Sequence, residues 1–249
     1  DYPIQAQYAS WALLGSHDTA RIKTVLGSEA KQKLAAMFQF AHVGPPTIWA
    51  GDELGMTGGD DPDNRRSMDW DLATGDNDLL SLYKKLIHAR NTYIQLSEGW
   101  ITTLLADNDI YAYGREYDTG SFVAHAVVVL NRSASANTPV TVGVSSLPGL
   151  AAGERLIDVL TGDIYTISPG LTVSITVPSL SGVILANPVG DFNSDGDVDM
   201  VDFAGLVLYW MDEECVGPNW CNGRDLNKNG LVDVTDLYTF VSRWLDETP

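Results

Sequence analysis

The sequence predicts three consecutive parts: an α/β segment over residues 1–97, an antiparallel β-sandwich over 98–188, and a small α module built on two acidic loops over 189–249. Three observations predict this. Short apolar runs alternate with amphipathic helical stretches at the front. Strand-like runs separated by turn residues fill the middle. An acidic loop–helix unit occurs twice at the end, at an offset of 34 residues.

At the front, Trp11–Gly15 is an apolar run that ends at Ser16-His17-Asp18. A helix follows, with Leu34, Met37, Phe38 and Ala41 on one face. Pro46–Ala50 is a second buried strand, ending at Gly51-Asp52-Glu53. Beyond an irregular loop, Leu79, Leu82, Tyr83, Leu86, Ile87 and Arg90 describe another amphipathic helix. Apolar strands alternating with helices imply a parallel sheet covered by helices. Polar residues gather just after each strand, which in a β/α barrel is the catalytic face. His17 and Asp18 follow the first strand; Asp52, Glu53, Asp60, Asp61, Arg65 and Arg66 follow the second. Read alone, the pair favours Asp18 as a helix cap and His17 as a satisfied core histidine.

In the middle, strands are expected over Ile101–Ala106, Ile110–Arg115, Phe122–Asn131, Pro139–Val144, Arg155–Leu160, Ile164–Ile167, Leu171–Val177 and Gly182–Ala186. Asn108-Asp109, Asp118–Gly120 and Thr161–Asp163 are the turn signals between them. Short strands at this spacing predict an antiparallel sandwich.

In the last part, Asp191 to Asp202 and Asp225 to Asp236 share one pattern: oxygen side chains at loop positions 1, 3, 5, 9 and 12, with Gly at 6. That is how a tight loop wraps a hard cation. The first loop offers Asp191, Asn193, Asp195, Asp199 and Asp202, with the carbonyl of Asp197. The second offers Asp225, Asn227, Asn229, Asp233 and Asp236, with the carbonyl of Leu231. Oxygen-only ligands point to two Ca²⁺ sites, and no Cys/His cluster supports zinc. Carboxylates about 4 Å apart repel by roughly 4 kcal/mol per pair at an effective dielectric of about 20. The first loop is therefore expected to order only on cation binding. Phe203, Leu206, Val207 and Trp210, and their counterparts Leu237, Phe240, Val241 and Trp244, are expected to pack two helices together. Pro188 and Gly190 exclude the leading helix of an EF-hand. Cys215 and Cys221 could close a short disulfide loop, which would suit an oxidising compartment, or remain two free thiols.

Composition narrows the function classes. The chain has 249 residues, with 33 acidic against 15 basic side chains, a net −18. Of this, −10 falls from Val189 onward. Nucleic-acid binding rests on cations meeting phosphates, so that class is excluded. The longest apolar runs, Ala126–Leu130 and Gly205–Met211, fall short of the roughly 20 residues of a membrane helix. Asp1–Ala9 lacks an initiator Met and a charged n-region, so the sequence is expected to continue upstream.

Leu13-Leu14-Gly15-Ser16-His17-Asp18-Thr19 resembles the fourth conserved region of the alpha-amylase family, glycoside hydrolase family 13. Gly44-Pro-Pro-Thr-Ile-Trp-Ala-Gly-Asp-Glu53 is similar to the eighth-strand motif of that family, with Trp49-Ala50 in place of its two tyrosines. Gly58-Gly-Asp-Asp-Pro-Asp-Asn-Arg-Arg66, followed by Met68-Asp-Trp-Asp71, resembles the next loop in neopullulanases, cyclomaltodextrinases and maltogenic amylases. The resemblance spans residues 1 to about 188 and implies that 1–97 is the last two strand–helix units of a (β/α)8 barrel. It implies that His17 hydrogen-bonds sugar hydroxyls at the cleavage subsite. Asp18 would be the third carboxylate, gripping the 2- and 3-hydroxyls of a distorted, oxocarbenium-like sugar. Asp61 and Arg65 would hold a glucose further toward the non-reducing side. Asp52, Glu53, Asp63 and Arg66 are expected to be structural. Asp158-Val-Leu-Thr-Gly162 is close to a recurring phrase of the family's C-terminal β domain, expected to pack on the barrel rather than bind sugar.

The duplicated loop–helix unit with Asp at position 12 resembles a type I dockerin, over about residues 190–247. That resemblance implies a cohesin-type scaffold partner and an extracellular, bacterial-type setting. Positions 10 and 11, often Ser-Thr in dockerins, are Met200-Val201 and Val234-Thr235 here. The parent reads as a secreted retaining α-glucan hydrolase tethered through this tail. Its nucleophile and acid/base, which a retaining enzyme holds about 5–5.5 Å apart, are expected upstream. The chain alone is thus expected to be inactive, and it is expected to be poorly soluble because an unclosed parallel sheet leaves edges and an apolar face exposed. The rival reading is a non-catalytic, calcium-dependent assembly module carrying a barrel remnant; a transglycosylase of the same family is a further alternative.

Overall fold

The computed structural model describes residues 3–74, 76–118, 123–135, 137–187, 190–192, 198–216, 220–227 and 229–242. A short helix α1 (Ile4–Ala9) leads into strand β1 (Ala12–Leu13), followed by α2 (Ile22–Leu26) and α3 (Glu29–Ala41). Gly27, at φ +64°, ends α2 in the left-handed conformation that lets the chain turn directly into α3. Strand β2 (Pro46–Thr47) pairs parallel with β1, with Ala12 opposite Pro46 and Leu13 opposite Thr47. The loop after β2 carries two 3₁₀ turns, Asp63–Arg65 and Trp70–Ala73, and then α4 (Asp78–Thr92) and α5 (Ile94–Ser97). Asn77 caps α4 by accepting the Leu80 N–H at 2.9 Å.

The ladder is shorter than the apolar runs, and β1 is not buried as expected: Trp11 is 70% and Leu13 52% exposed. Among the described residues β1 has one strand neighbour, so its other edge is open. The buried face of α3 also differs from its apolar periodicity. Gln32, Ala36, Met37, Gln39, Phe40 and Ala41 are buried, while Phe38 is partly exposed. The two glutamines point inward to satisfy main chain. Gln32 donates to the Asp52 carbonyl at 2.7 Å, and Gln39 donates to Ala12 and Thr47 at 2.7 and 2.9 Å.

The middle of the chain forms one six-stranded sheet and one two-stranded sheet. The larger contains β3 (Trp100–Ala106), β4 (Ile110–Asp118), β5 (Val123–Asn131), β7 (Arg155–Asp158), β8 (Ile164–Thr166) and β10 (Ser181–Ala186), in the order β3-β4-β5-β10-β7-β8. The smaller pairs β6 (Thr138–Gly143) with β9 (Thr172–Val177). Every pairing in both is antiparallel. Strand β5 is apolar on both faces, and the layering explains why. Ala126, Val128 and Leu130 pack with Met37, Phe40, Leu79, Tyr83 and Leu86 of the helices. Val127 and Val129 pack with Val140, Val142, Val173 and Ile175 of the smaller sheet. The six-stranded sheet is therefore the middle layer.

Two buried arginines tie the helical part to this sheet. Nη1 of Arg90 donates to the carbonyls of Phe40, His42 and Leu96 at 2.5, 3.0 and 2.9 Å, and Nη2 donates to Gly44 at 2.7 Å. Arg115, fully buried in β4, donates to Gly99 through Nε (3.0 Å) and Nη2 (2.8 Å) and to Ala41 through Nη1 (2.5 Å). Burial pulls the Arg90 guanidinium down to about 10, still charged at neutral pH. The Asp158–Gly162 turn docks on α4, where Lys85 Nζ donates to the Leu160 carbonyl at 2.7 Å.

In the last part, α6 (Met200–Val207) and α8 (Val234–Val241) each begin with a reciprocal capping box, Asp199 with Asp202 and Asp233 with Asp236. Between them lies α7 (Trp220–Gly223), a single turn in which Cys221 and Asn222 have positive φ. Cys215 and Cys221 form a disulfide. The shared core is Val198, Leu206, Cys215, Leu226, Val232 and Phe240, with Phe192, Phe203 and Leu237 against it. This corrects the expected helix stripe. Both helices stop after eight residues, so Val207, Trp210 and Val241 are exposed, and the loop valines Val198 and Val232 fill the core instead. Trp244 lies outside the described residues. No described helix is long and apolar enough to cross a membrane.

Candidate functional site

The loops after β1 and β2 bring His17, Asp18, Asp61 and Arg65 together. His17 Nε2 lies 3.2 Å from Asp18 Oδ1, and Arg65 Nη2 lies 3.7 Å from the same oxygen. Arg65 Nε lies 3.2 Å from Asp61 Oδ1 and donates to the His17 carbonyl at 3.1 Å. The His17 ring centroid is 5.8 Å from that of Trp49. Asp18 caps no helix: α2 begins at Ile22 after Arg21, with no side-chain cap. The Asp18 side chain is 70% exposed, so its pairings are screened by water and add little stability. The cluster presents carboxylate acceptors beside guanidinium and imidazole donors on one open surface. That is the chemistry that meets adjacent hydroxyl groups.

The cluster rests on a buried polar layer in which Arg21 and Asn64, which the sequence pattern does not single out, join Asp52. Arg21 (3% exposed) donates through Nε to the Asn64 carbonyl at 2.9 Å. Its Nη1 donates to the Ala50 carbonyl at 2.6 Å and to Asp52 Oδ1 at 3.2 Å. Burial pushes the Asp52 carboxyl up, while the Arg21 guanidinium pulls the other way. Asn64, fully buried, donates through Nδ2 to the carbonyls of His17 and Thr19 at 2.8 and 3.0 Å. Arg21 also lies 5.5 Å from the Trp49 ring centroid. Asp63 accepts from the Gly59 N–H (2.7 Å) and from Arg66 Nε (2.7 Å), which hold its carboxyl below the usual range. Glu53 accepts from the Gly51 N–H at 2.8 Å. Glu53, Asp63 and Arg66 thus pair within the loop after β2, while Asp52 pairs with Arg21 from the loop after β1.

The second repeated loop, Asp225 to Asp236, is held by its own oxygens. Asp225 accepts the N–H groups of Asn229 (3.1 Å) and Gly230 (2.8 Å), and Asp236 accepts those of Leu226 (2.7 Å), Asn227 (3.1 Å) and Asp233 (2.9 Å). Asp225 and Asp236 are 1% and 0% exposed. Of the first loop, Asp191, Asp199 and Asp202 are described; Asn193, Asp195 and Asp197 lie outside the described residues. Among the described residues no three His, Cys, Asp or Glu side chains form a group able to hold a metal by themselves. A cation in the second loop would therefore also need Asn227, Asn229 and the Leu231 carbonyl.

Comparison with known proteins follows this geometry. Residues 2–78, which include His17, Asp18, Asp61 and Arg65, match the alpha-amylase family model, described as the alpha amylase catalytic domain. The chain is 35% identical over 212 residues to an amylopullulanase of Thermoanaerobacter thermohydrosulfuricus, covering 76% of this chain and 14% of that protein. It is 34% identical over 187 residues to a cyclomaltodextrinase of Geobacillus thermopakistaniensis, covering 74% and 30%. The structure is similar to that of a debranching enzyme from Nostoc punctiforme, with a TM-score of 0.62 at 29% identity, covering 75% of this chain and 37% of that one. The chain thus spans under two fifths of the length of each of these three proteins.

Proposed function

We propose that this chain is the C-terminal part of a secreted retaining α-glucan hydrolase, acting on starch-derived oligosaccharides, cyclodextrins or pullulan. The observation that carries this reading is the convergence of His17, Asp18 and Arg65 within 3.7 Å of one another, from two loops that both lie in the alpha-amylase match. In this reading Asp18 grips two neighbouring hydroxyls of the sugar at the cleaved bond, and His17 hydrogen-bonds beside it. Asp61 and Arg65 hold the next sugar outward. The nucleophile and the acid/base carboxyl come from upstream barrel strands. The test is turnover of maltooligosaccharides, cyclodextrin and pullulan. The intact protein is expected to hydrolyse at least one of them and the isolated 249-residue chain none. Turnover by the isolated chain contradicts the division of the site, and an inert intact protein favours a non-catalytic assembly module.

The tail is read as a dockerin-like tether that binds two Ca²⁺ and a cohesin-type scaffold protein outside the cell. The second loop supports the cation: Asp225 and Asp236 bury carboxylates whose hydrogen-bond donors are main-chain N–H groups, and buried charge calls for a counter-ion. Ca²⁺ would be held there by Asp225, Asn227, Asn229, Leu231, Asp233 and Asp236, and in the first loop by Asp191, Asn193, Asp195, Asp197, Asp199 and Asp202. The Cys215–Cys221 disulfide suits an oxidising setting. Met200, Val201 and Val234 are 63%, 60% and 65% exposed, an apolar surface suited to a partner. Calorimetry is expected to find two Ca²⁺ sites, with loss of tail helicity in EDTA. Indifference to both Ca²⁺ and chelator contradicts the metal reading.

A further inference from the structure

The residue that fixes Asp18 is itself remote from the surface. Asn64 sits in the 3₁₀ turn Asp63–Arg65, is fully buried, and directs its amide nitrogen at two carbonyls, His17 and Thr19, at 2.8 and 3.0 Å. These are the residues on either side of Asp18. Both partners can only accept, so the amino end of the side chain must face them. The opposite oxygen, Oδ1, is buried with no hydrogen-bond partner among the described residues. Asn64 is anchored from behind, because Arg21 donates to its carbonyl at 2.9 Å. Its turn is packed so closely that a Cβ on Gly58 would come within 2.6 Å of the Asp63 carbonyl oxygen and 2.9 Å of Asn64 Cα. Arg65, next in the turn, donates to the same His17 carbonyl at 3.1 Å.

We propose that Asn64 is a positioning residue that holds the main chain on both sides of Asp18 and so sets where its carboxylate meets the sugar. The inference rests on the reading of Asp18 as the third carboxylate. A misplacement of about 1 Å at a reacting group can lower a rate by about 100-fold. In the intact enzyme, Asn64→Ala is therefore expected to lower kcat about 10- to 100-fold and to leave KM within about 3-fold. A double-mutant cycle separates positioning from general damage. In an Asp18→Asn background, Asn64→Ala should cost no further activity, within about 3-fold. If Asn64→Ala does not yield folded enzyme, Asn64→Ser carries the same cycle, with one hydroxyl donor for two carbonyls and an expected loss of about 3- to 10-fold. Independent, multiplying losses, or a neutral Asn64 variant beside an impaired Asp18→Asn enzyme, overturn the positioning role alone. An unimpaired Asp18→Asn enzyme overturns the reading of Asp18 and this inference with it.

Discussion

Replacing Asp18 with Asn in the intact enzyme is expected to lower kcat/KM on maltooligosaccharides by about 1,000-fold or more, roughly 4 kcal/mol of transition-state stabilisation. The expectation follows from charge and exposure. Asp18 is 70% exposed, and among the described residues it is paired with the His17 ring at 3.2 Å and the more distant Arg65 guanidinium at 3.7 Å. Neither closes off its carboxylate, so both oxygens can turn to a ligand. Contacts to the sugar ring that strengthen as the oxocarbenium-like state forms contribute several kcal/mol in glycoside hydrolysis. Asn keeps the shape and one acceptor but removes the charge. Because the lost contact is strongest in the transition state, kcat should fall more than KM changes. The thermal midpoint should barely move, since exposed pairs contribute little to folding. Steady-state kinetics and a melting curve on the same preparation check both halves. A large drop in melting temperature with unchanged turnover would assign Asp18 a structural role instead.

Arg90→Ala is expected to be the most destabilising single change in the helical part, by about 4 kcal/mol or more. Arg90 supplies donors to four main-chain carbonyls: Phe40 and His42 at the end of α3, Gly44 before β2, and Leu96 in α5. Removing it leaves these buried acceptors unpaired, at about 1–3 kcal/mol each before relaxation. Water entering the vacated space recovers part of that. For a domain of this size the thermal midpoint should fall by about 10 °C. Arg90→Lys should recover only part of the loss, because an ammonium cannot reproduce the planar fork that reaches Gly44 and Phe40 together. Equal stability of the wild-type and Arg90→Ala proteins would show that the carbonyls find other partners. Because Gly44 leads into β2, and β2 leads to the Asp61–Arg65 loop, the clamp also connects packing to the site.

Much of the β layering was legible because its signals are local. Ile110–Arg115 was expected as a strand and β4 runs Ile110–Asp118; Gly182–Ala186 was expected and β10 runs Ser181–Ala186. Alternation and turn residues mark such elements whatever they pack against. The α3 face was misread because Gln32 and Gln39 point inward to main-chain carbonyls while Phe38 lies at the edge of the packed face. Hydrophobic periodicity assumes that polar means outside, and that assumption fails wherever a side chain satisfies buried backbone. Arg115 follows the same logic, whereas Arg90 is buried on the periodic face of α4 where the sequence places it. At the site, His17, Asp18, Asp61 and Arg65 stood out through motif resemblance, which reads chemistry directly. Asn64 did not, since an Asn between Asp63 and Arg65 looks like an ordinary turn residue. Its role depends on contacts 47 and 45 residues away, which no local pattern encodes.

The most direct measurement is a crystal structure of the intact protein bound to a non-hydrolysable maltooligosaccharide analogue. Both Asp18 oxygens are expected at hydrogen-bonding distance, about 2.5–3.0 Å, from two adjacent hydroxyls of one sugar ring, with His17 on the same ring and Asp61 and Arg65 on its neighbour. A sugar seated elsewhere, with Asp18 still facing only His17 and Arg65, would contradict this expectation.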